Sequence, residues 1–236
     1  MQKVGSVAEL RRYPVKSMAG EVLATARIER RGVVGDRRWA VTDSDGKFGS
    51  SKTTRRFQRM DGLLHLAASY AQDLTPVVAF PDGRLLAADD PHVDEALSDH
   101  VGRPVRLLAE ADVSHFDEGP LHLVTTASIA AVAERQRAPV TTLRLRANLL
   151  VDVGAAEGLV EDAWVGRNLA IGDEVVVSIR EPMPRCVMVE QSQKEVSAAP
   201  GLLGTIGRVN RACLGAVADV VRTGAVRLDD PVRLLA

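Results

Sequence analysis

The stretch RRWAVTDSDGKF, residues 37–48, reads as a β-hairpin: strand-forming residues run into Asp45-Gly46, a dipeptide suited to a type I′ turn, and leave toward Phe48. A second such signal, Asp82-Gly83, lies between VVAF and RLLA. EVLATARIERRG puts Val22, Ala24, Ala26 and Ile28 on one face of a strand, with charged and polar residues largely on the other. GDEVVVSIR and DDPVRLLA add strands near the end of the chain. Many short strands with closely spaced turns favour a barrel or sandwich over a doubly wound sheet. Helices are few. DDPHVDEALSDHVG has an Asp cap, Pro91 in its first turn and Gly102 beyond its end, and TTASIAAVAERQR starts at Thr125 or Thr126. Between them the polar AEADVSHFDEGP, residues 109–120, is the expected linker between a first domain, 1–108, and a second, 121–236.

Composition narrows the function classes. With 46% hydrophobic and 26% charged residues and a net charge of −1, the chain has no global attraction to nucleic acid or an anionic membrane. It shows no signal-peptide core and no apolar run of membrane-span length, and two cysteines of unlike context suit a reducing, cytoplasmic setting. No CxxC, HExxH or phosphate-loop motif occurs, and DSDG at 43–46 reads as a turn, lacking the remaining acidic ligands of a calcium loop. The five histidines show no metal-ligand spacing.

Cys186 lies in REPMPRCVMVEQ, residues 180–191, directly after Arg185 and behind Pro182 and Pro184. An adjacent cation favours a thiolate, the form that attacks or binds a soft metal, whereas a buried free cysteine often acts only as a small hydrophobe. Cys213, in VNRACLGAVADVV, reads as the latter, on a strand or helix. Lys16 and Ser17 in RRYPVKSMAGEV suit an oxyanion, and Arg37 follows a glycine-containing turn. In LRLRANLLV, Arg144 and Arg146 alternate into an apolar strand, and they need either a partner, such as an anionic ligand, or a solvated face.

In order, YPVKSMAG, GVVGDRRWAV, LRLRANLLV, EDAWVGRNLAIGD and PRC resemble a MOSC protein with an N-terminal MOSC β-barrel domain. They are similar to the branch that includes the mitochondrial amidoxime-reducing component and its bacterial relatives. The resemblance implies a mainly β fold with a few helices (α+β), made of two β-barrel-like domains. It implies a molybdenum cofactor (molybdopterin) with Cys186 as metal ligand and Arg185 beside it at the catalytic centre. Lys16, Ser17, Arg37, Thr125, Ser128, Arg146 and Asn148 match its cofactor-binding residues. It further implies reduction of N-hydroxylated or N-oxide small molecules, with electrons from an external electron-transfer protein, since no flavin, haem or iron–sulfur motif occurs. Two alternatives are a sulfur-transfer protein carrying a persulfide on Cys186, without pyridoxal phosphate, and a non-enzymatic cofactor carrier. One departure stands out: the branch has a Thr-Thr pair and an acidic residue after the cysteine, where this chain has Val189-Glu190-Gln191-Ser192. The basic SSKTTRRFQRM, residues 50–60, also departs from the family's shape and leaves room for further anion contacts that are assigned to no residue.

Overall fold

The computed structural model describes residues 1–71, 74–136 and 139–235. Seven strands close into a barrel in the order Gln2–Arg12, Leu149–Asp152, Leu121–Thr125, Cys213–Arg222, Val175–Pro184, Asn168–Ile171 and Pro231–Leu234, which returns to Gln2–Arg12. All neighbours are antiparallel except Leu121–Thr125 and Leu149–Asp152. That parallel pair needs a crossover, and the helix Thr126–Ala133 lies within it. Closure leaves no open edge in the barrel.

Strand alternation fills the interior: Leu121 with Leu123, Leu149 with Val151, Val175 with Val177 and Ile179, and Ala216 with Ala218 all belong to one buried cluster. On the N-terminal strand Val7 and Leu10 both enter that cluster although three residues apart. The pairing with Leu149–Asp152 shifts between Val7 and Glu9, and the extra residue restores the inward parity.

The rest of the first half surrounds a second core containing Val15, Met18, Leu63, Leu66, Val78, Leu97 and Leu107. Around it lie a four-stranded sheet (Val105–Ala109, Trp39–Asp43, Phe48–Ser50, Phe57–Arg59), a three-stranded sheet (Leu85–Ala87, Pro76–Ala79, Ala67–Tyr70) and the helix Val93–Val101. The fold is thus mainly β with four α-helices among the described residues, as expected. The division into 1–108 and 121–236 is crossed, however. The N-terminal strand is a stave of the C-terminal barrel, and Thr25–Glu29 pairs with Gly224–Arg227. No helix among the described residues is long and apolar enough to cross a membrane.

Local expectations fare unevenly. Both hairpins form, but the first turn is not type I′: Gly46 N–H donates to the Asp43 carbonyl, and φ is positive at Gly46 (73°) but not at Asp45. Ser44 and Asp45 form the tight turn, the Asp43 carboxylate accepts the Asp45 and Lys47 N–H groups, and left-handed Gly46 closes the loop. The face expected for Val22 to Ile28 breaks at Ala24, so only Ala26 and Ile28 are buried. Thr125, not Thr126, caps its helix by accepting the Ser128 N–H.

Candidate functional site

Where the barrel meets the first half, a cavity of about 200 Å³ is lined by residues from six separated stretches of sequence. Lys16, Ser17, Arg37, Arg146, Asn148, Arg185 and Cys186 all reach its wall. The strand Val175–Pro184 delivers the cysteine. It runs through both prolines, and one of its register shifts against Cys213–Arg222 falls between them, where the missing N–H groups interrupt the ladder. Arg185 N–H then bonds the Ala212 carbonyl (2.8 Å), and Cys186 opens the short 3-10 turn Val187–Glu190. Cys186 is a free, half-buried thiol.

The charges fall into two groups. Toward the first half, the buried Lys16 Nζ donates to the His115 carbonyl (2.9 Å) and to Asp117 Oδ1 (2.6 Å), and lies 4.8 Å from the Phe57 ring centre. Burial pulls the Lys16 pKa down to about 8, with Asp117 opposing. Ser17, left-handed at φ 68°, spends its hydroxyl on the Gly49 carbonyl. Toward the barrel, Arg37 pairs with the fully buried Asp36 and donates to the Arg146 carbonyl (3.1 Å). The Arg37 and Arg146 guanidinium groups lie 4.8 and 4.5 Å from the ring centre of buried Tyr13. Burial drives the Tyr13 hydroxyl up to about 12 and both Arg146 and Arg185 down to about 10, still cationic at neutral pH.

Arg146 and Arg185 lack what such groups need. Arg146 Nη1 and Nη2 and Arg185 Nε are buried without a hydrogen-bond partner. Arg185 reaches the Leu145 carbonyl and lies 3.5 Å from His122 Nε2. Burial, reinforced by Arg185, holds the His122 pKa well below its ordinary value, so this ring offers no negative charge. A buried cation without a counterion or full complement of acceptors is costly, and an anion in the cavity would supply both.

Three expected site residues are otherwise engaged. Asn148 lines the cavity, but its amide accepts the His122 N–H (3.1 Å) and donates to the Arg11 carbonyl (3.3 Å), tying two barrel strands together. Thr125 and Ser128 do not reach the cavity: both hydroxyls donate to Oε2 of buried Glu161, at 2.6 and 2.5 Å. Their place at a helix N-terminus is as expected, but a carboxylate of the chain itself takes the hydroxyls. Arg144 and Arg146 do not alternate on a strand. Thr142–Leu145 is a helical turn, Arg146 is left-handed at φ 57°, and the strand starts only at Leu149. Arg144 is buried and donates to the carbonyls of Pro139, Val189, Gln191 and Ser197, pinning the loop after Cys186. In that loop the Glu190 carboxylate accepts the Leu203 N–H at the start of the helix Leu202–Asn210 and is absent from the cavity wall.

Sequence reasoning missed Phe116, Asp117 and His122, all on the wall, and singled out the basic stretch 50–60 without assigning its wall residue, Lys52. Phe116 and Asp117 lie in the stretch read as a linker, whose Phe-Asp pair among polar residues was the available signal. Among the described residues, no three His, Cys, Asp or Glu side chains converge as a metal centre. A metal held here would therefore depend on ligands arriving with it, beside Cys186.

Human mitochondrial amidoxime-reducing component 1 is 25% identical over 231 residues, covering 80% of this chain and 66% of that protein, so the chain spans about two thirds of its relative. The crystal structure of the YUAD protein from Bacillus subtilis shares the fold, with a TM-score of 0.52 at 13% identity over 97% of this chain and 93% of that one. YiiM from Geobacillus stearothermophilus matches over 50% of this chain and 54% of that one, with a TM-score of 0.39 at 18% identity. The family models match the MOSC N-terminal beta barrel domain at residues 4–88 and the MOSC domain at residues 100–233. Since the latter spans more than half of the sequence, the chain belongs to the MOSC domain family.

Proposed function

We propose that this protein is a molybdenum-cofactor-binding oxidoreductase that reduces N-hydroxylated or N-oxide compounds, with Cys186 as the protein ligand to the metal. The observation that carries this reading is one cavity joining a free thiol to buried guanidinium N–H groups that have no partner. A phosphate group carries about two negative charges at neutral pH. Arg146 and Arg185 have no carboxylate and keep buried N–H groups unpartnered, whereas Arg144, also without a carboxylate, is satisfied by backbone carbonyls. The residues therefore fit a pterin phosphate at the barrel side. Arg37 supports it through Asp36 and Tyr13, while Ser17 and Asn148 shape the wall rather than donate.

When bound, the cofactor supplies a two-electron metal centre that accepts an oxygen atom. The chain's residues do the rest. Cys186 offers a soft sulfur ligand held by the 3-10 turn and the Arg144 anchor. Its negative form favours charge on the adjacent Arg185. Met183, Pro184, Met188 and Val189 form an apolar wall beside it, against which a small substrate can pack. For an amidoxime the balance is two electrons and two protons taken up, the N–O bond broken, and an amidine and water released. The human relative is named as a component, which suits an activity completed by a partner that brings electrons.

Elemental and pterin analysis of protein made in a molybdenum-competent host tests cofactor binding, and benzamidoxime turnover with an artificial donor tests the activity. Cys186→Ser should abolish turnover, with loss greater than about a hundredfold, while the pterin is retained, since the phosphate contacts remain. Full activity in that variant removes Cys186 from the centre. Molybdenum-free protein that carries a persulfide on Cys186 would instead support sulfur transfer.

A further inference from the structure

Lys52 belongs to the basic segment that the proposed function leaves unused. It lines the cavity together with Lys16 but comes from the loop between Phe48–Ser50 and Phe57–Arg59, across from the barrel arginines. Its ammonium lies 5.4 Å from the Phe57 ring centre, the same ring that faces Lys16 at 4.8 Å and Arg56 at 5.3 Å. Three cations thus surround one buried aromatic ring, Lys16 buried with it and Lys52 and Arg56 half-buried. Arg56 Nε is buried without a partner, and Lys52 makes no ion pair within 4 Å among the described residues, acting on the Asp117 carboxylate only as a lesser, longer-range charge behind Lys16.

Six cationic side chains line the cavity, against the two acidic ones Asp117 and Glu118. Lys16 is matched by Asp117 and Arg37 by Asp36, while Arg144 is committed to backbone carbonyls. Arg146, Arg185 and Lys52 remain, and of the two acidic wall residues only the exposed, solvated Glu118 is not paired with a cation among the described residues. A phosphate's roughly two charges offset the first two. Lys52 is left over, and it is half-buried where Lys16 and Arg146 are buried.

We propose that Lys52, seated on Phe57, is a specificity-determining residue that holds an anionic group on the substrate, so that the protein prefers carboxylate-bearing N-hydroxylated compounds to neutral ones. This rests on the reductase reading for the word substrate, but the anion subsite can be measured without turnover. The probes are the unreactive pair 4-carbamoylbenzoate and benzamide, titrated by calorimetry into the full-chain protein with its natural cofactor content. The matching substrates are 4-carboxybenzamidoxime and benzamidoxime.

The parent should bind 4-carbamoylbenzoate more tightly than benzamide. Lys52→Gln should shrink that ratio about tenfold, as expected for one lost charge-assisted hydrogen bond at a half-exposed site, and Lys52→Arg should restore most of it. The ratio of kcat/KM for the two amidoximes should move in parallel. A binding ratio that Lys52→Gln leaves unmoved overturns the subsite, even if both amidoximes are reduced. A ratio that depends on Lys52, with neither amidoxime reduced, keeps the subsite and overturns the reductase reading. Loss of bound pterin in Lys52→Gln, or a raised KM for the electron donor alone, also overturns the proposal, because Lys52 would then serve the cofactor or the partner.

Discussion

Two buried polar clusters in this protein are built from residues of the kind that hold phosphates, and only one is open to a ligand. At the helix cap, Thr125 and Ser128 place two hydroxyls on Glu161, one carboxylate oxygen serving both. In the cavity, Arg146 and Arg185 place buried N–H groups against nothing in the chain. The first cluster supplies its own acceptor within 36 residues of sequence, whereas the second keeps cations without a counterion. What separates a ligand site from a structural one here is the balance of partners, not the residue types. A donor already satisfied within the fold gains little from a ligand, while an unsatisfied buried donor gains its full desolvation penalty back.

The comparison breaks most visibly at Arg146. Arg146→Met should lower pterin retention about ten- to a hundredfold, because it removes charge-assisted hydrogen bonds to the bound anion. In cofactor-free protein the same change should stabilise the fold by about 1–2 kcal/mol, since it removes a buried, uncompensated charge and keeps much of the volume over Tyr13. At this chain length that is a rise in Tm of about 2–8 °C. Opposite signs in retention and in apo stability are the signature of a site that waits for its ligand. A lower apo Tm together with unchanged pterin content would make Arg146 a structural residue like Arg144.

At the helix cap the reverse is expected. Thr125→Ala removes the acceptor of the Ser128 N–H and one donor to Glu161, and should cost about 1–2 kcal/mol of stability. Thermal unfolding should show the loss, and pterin and molybdenum content should stay at the parent level. A variant that keeps its Tm but loses cofactor would return Thr125 to the binding set.

How much of this was legible depended on how local each cause is. Most strands, both Asp-Gly hairpins and the Thr125 cap follow from neighbours in sequence and appear as read, apart from the turn type and the break at Ala24. The first helix begins only at Val93, after Pro91, with no side-chain cap, and Asp90 accepts the His92 N–H just before it. Lys16, Arg37, Arg185 and Cys186 were legible as charge and thiol beside turn-forming residues, and the cavity collects all four. The stretch around Arg144 misled because alternating Leu and Arg mimic a strand. Its helical turn exists where one guanidinium reaches the carbonyls of a loop some 45 residues later. The helix Leu202–Asn210 escaped notice because Gly204 and Gly207 depress helix propensity. Burial of Leu202, Thr205 and Ile206 at helical spacing outweighs them. Barrel closure by residues 2–12 had no local signal, since its partners lie more than a hundred residues away.

The smallest expected effects distinguish the two regions by acid titration. His115 packs edge-on against Phe48 (ring centres 4.9 Å apart), and burial lowers its pKa to about 4, opposed by Glu110, with Lys16 and Arg31 adding to the lowering. A histidine neutral in the fold binds its proton more readily when unfolded, near pH 6.5. Its contribution is therefore whole above about 6.5 and is lost as pH falls toward about 4. Glu161 runs the other way: burial raises its pKa, partly offset by Ser128 and Thr125, so the folded state takes up its proton first. Stability from this group grows as pH falls through its raised pKa and is complete below the ordinary carboxylate range. Tm measured from pH 7 to pH 4 should thus fall less steeply in His115→Phe than in the parent, with His122 retaining part of the slope. In Glu161→Gln it should fall more steeply, because the opposing proton uptake is gone. Parallel curves for the parent and both variants would show that neither buried group changes protonation on unfolding in this range. The strap that carries His115 over Lys16 would then owe its acid stability to Glu110, whose carboxyl its hydrogen bonds hold down at about 2 against the pull of burial.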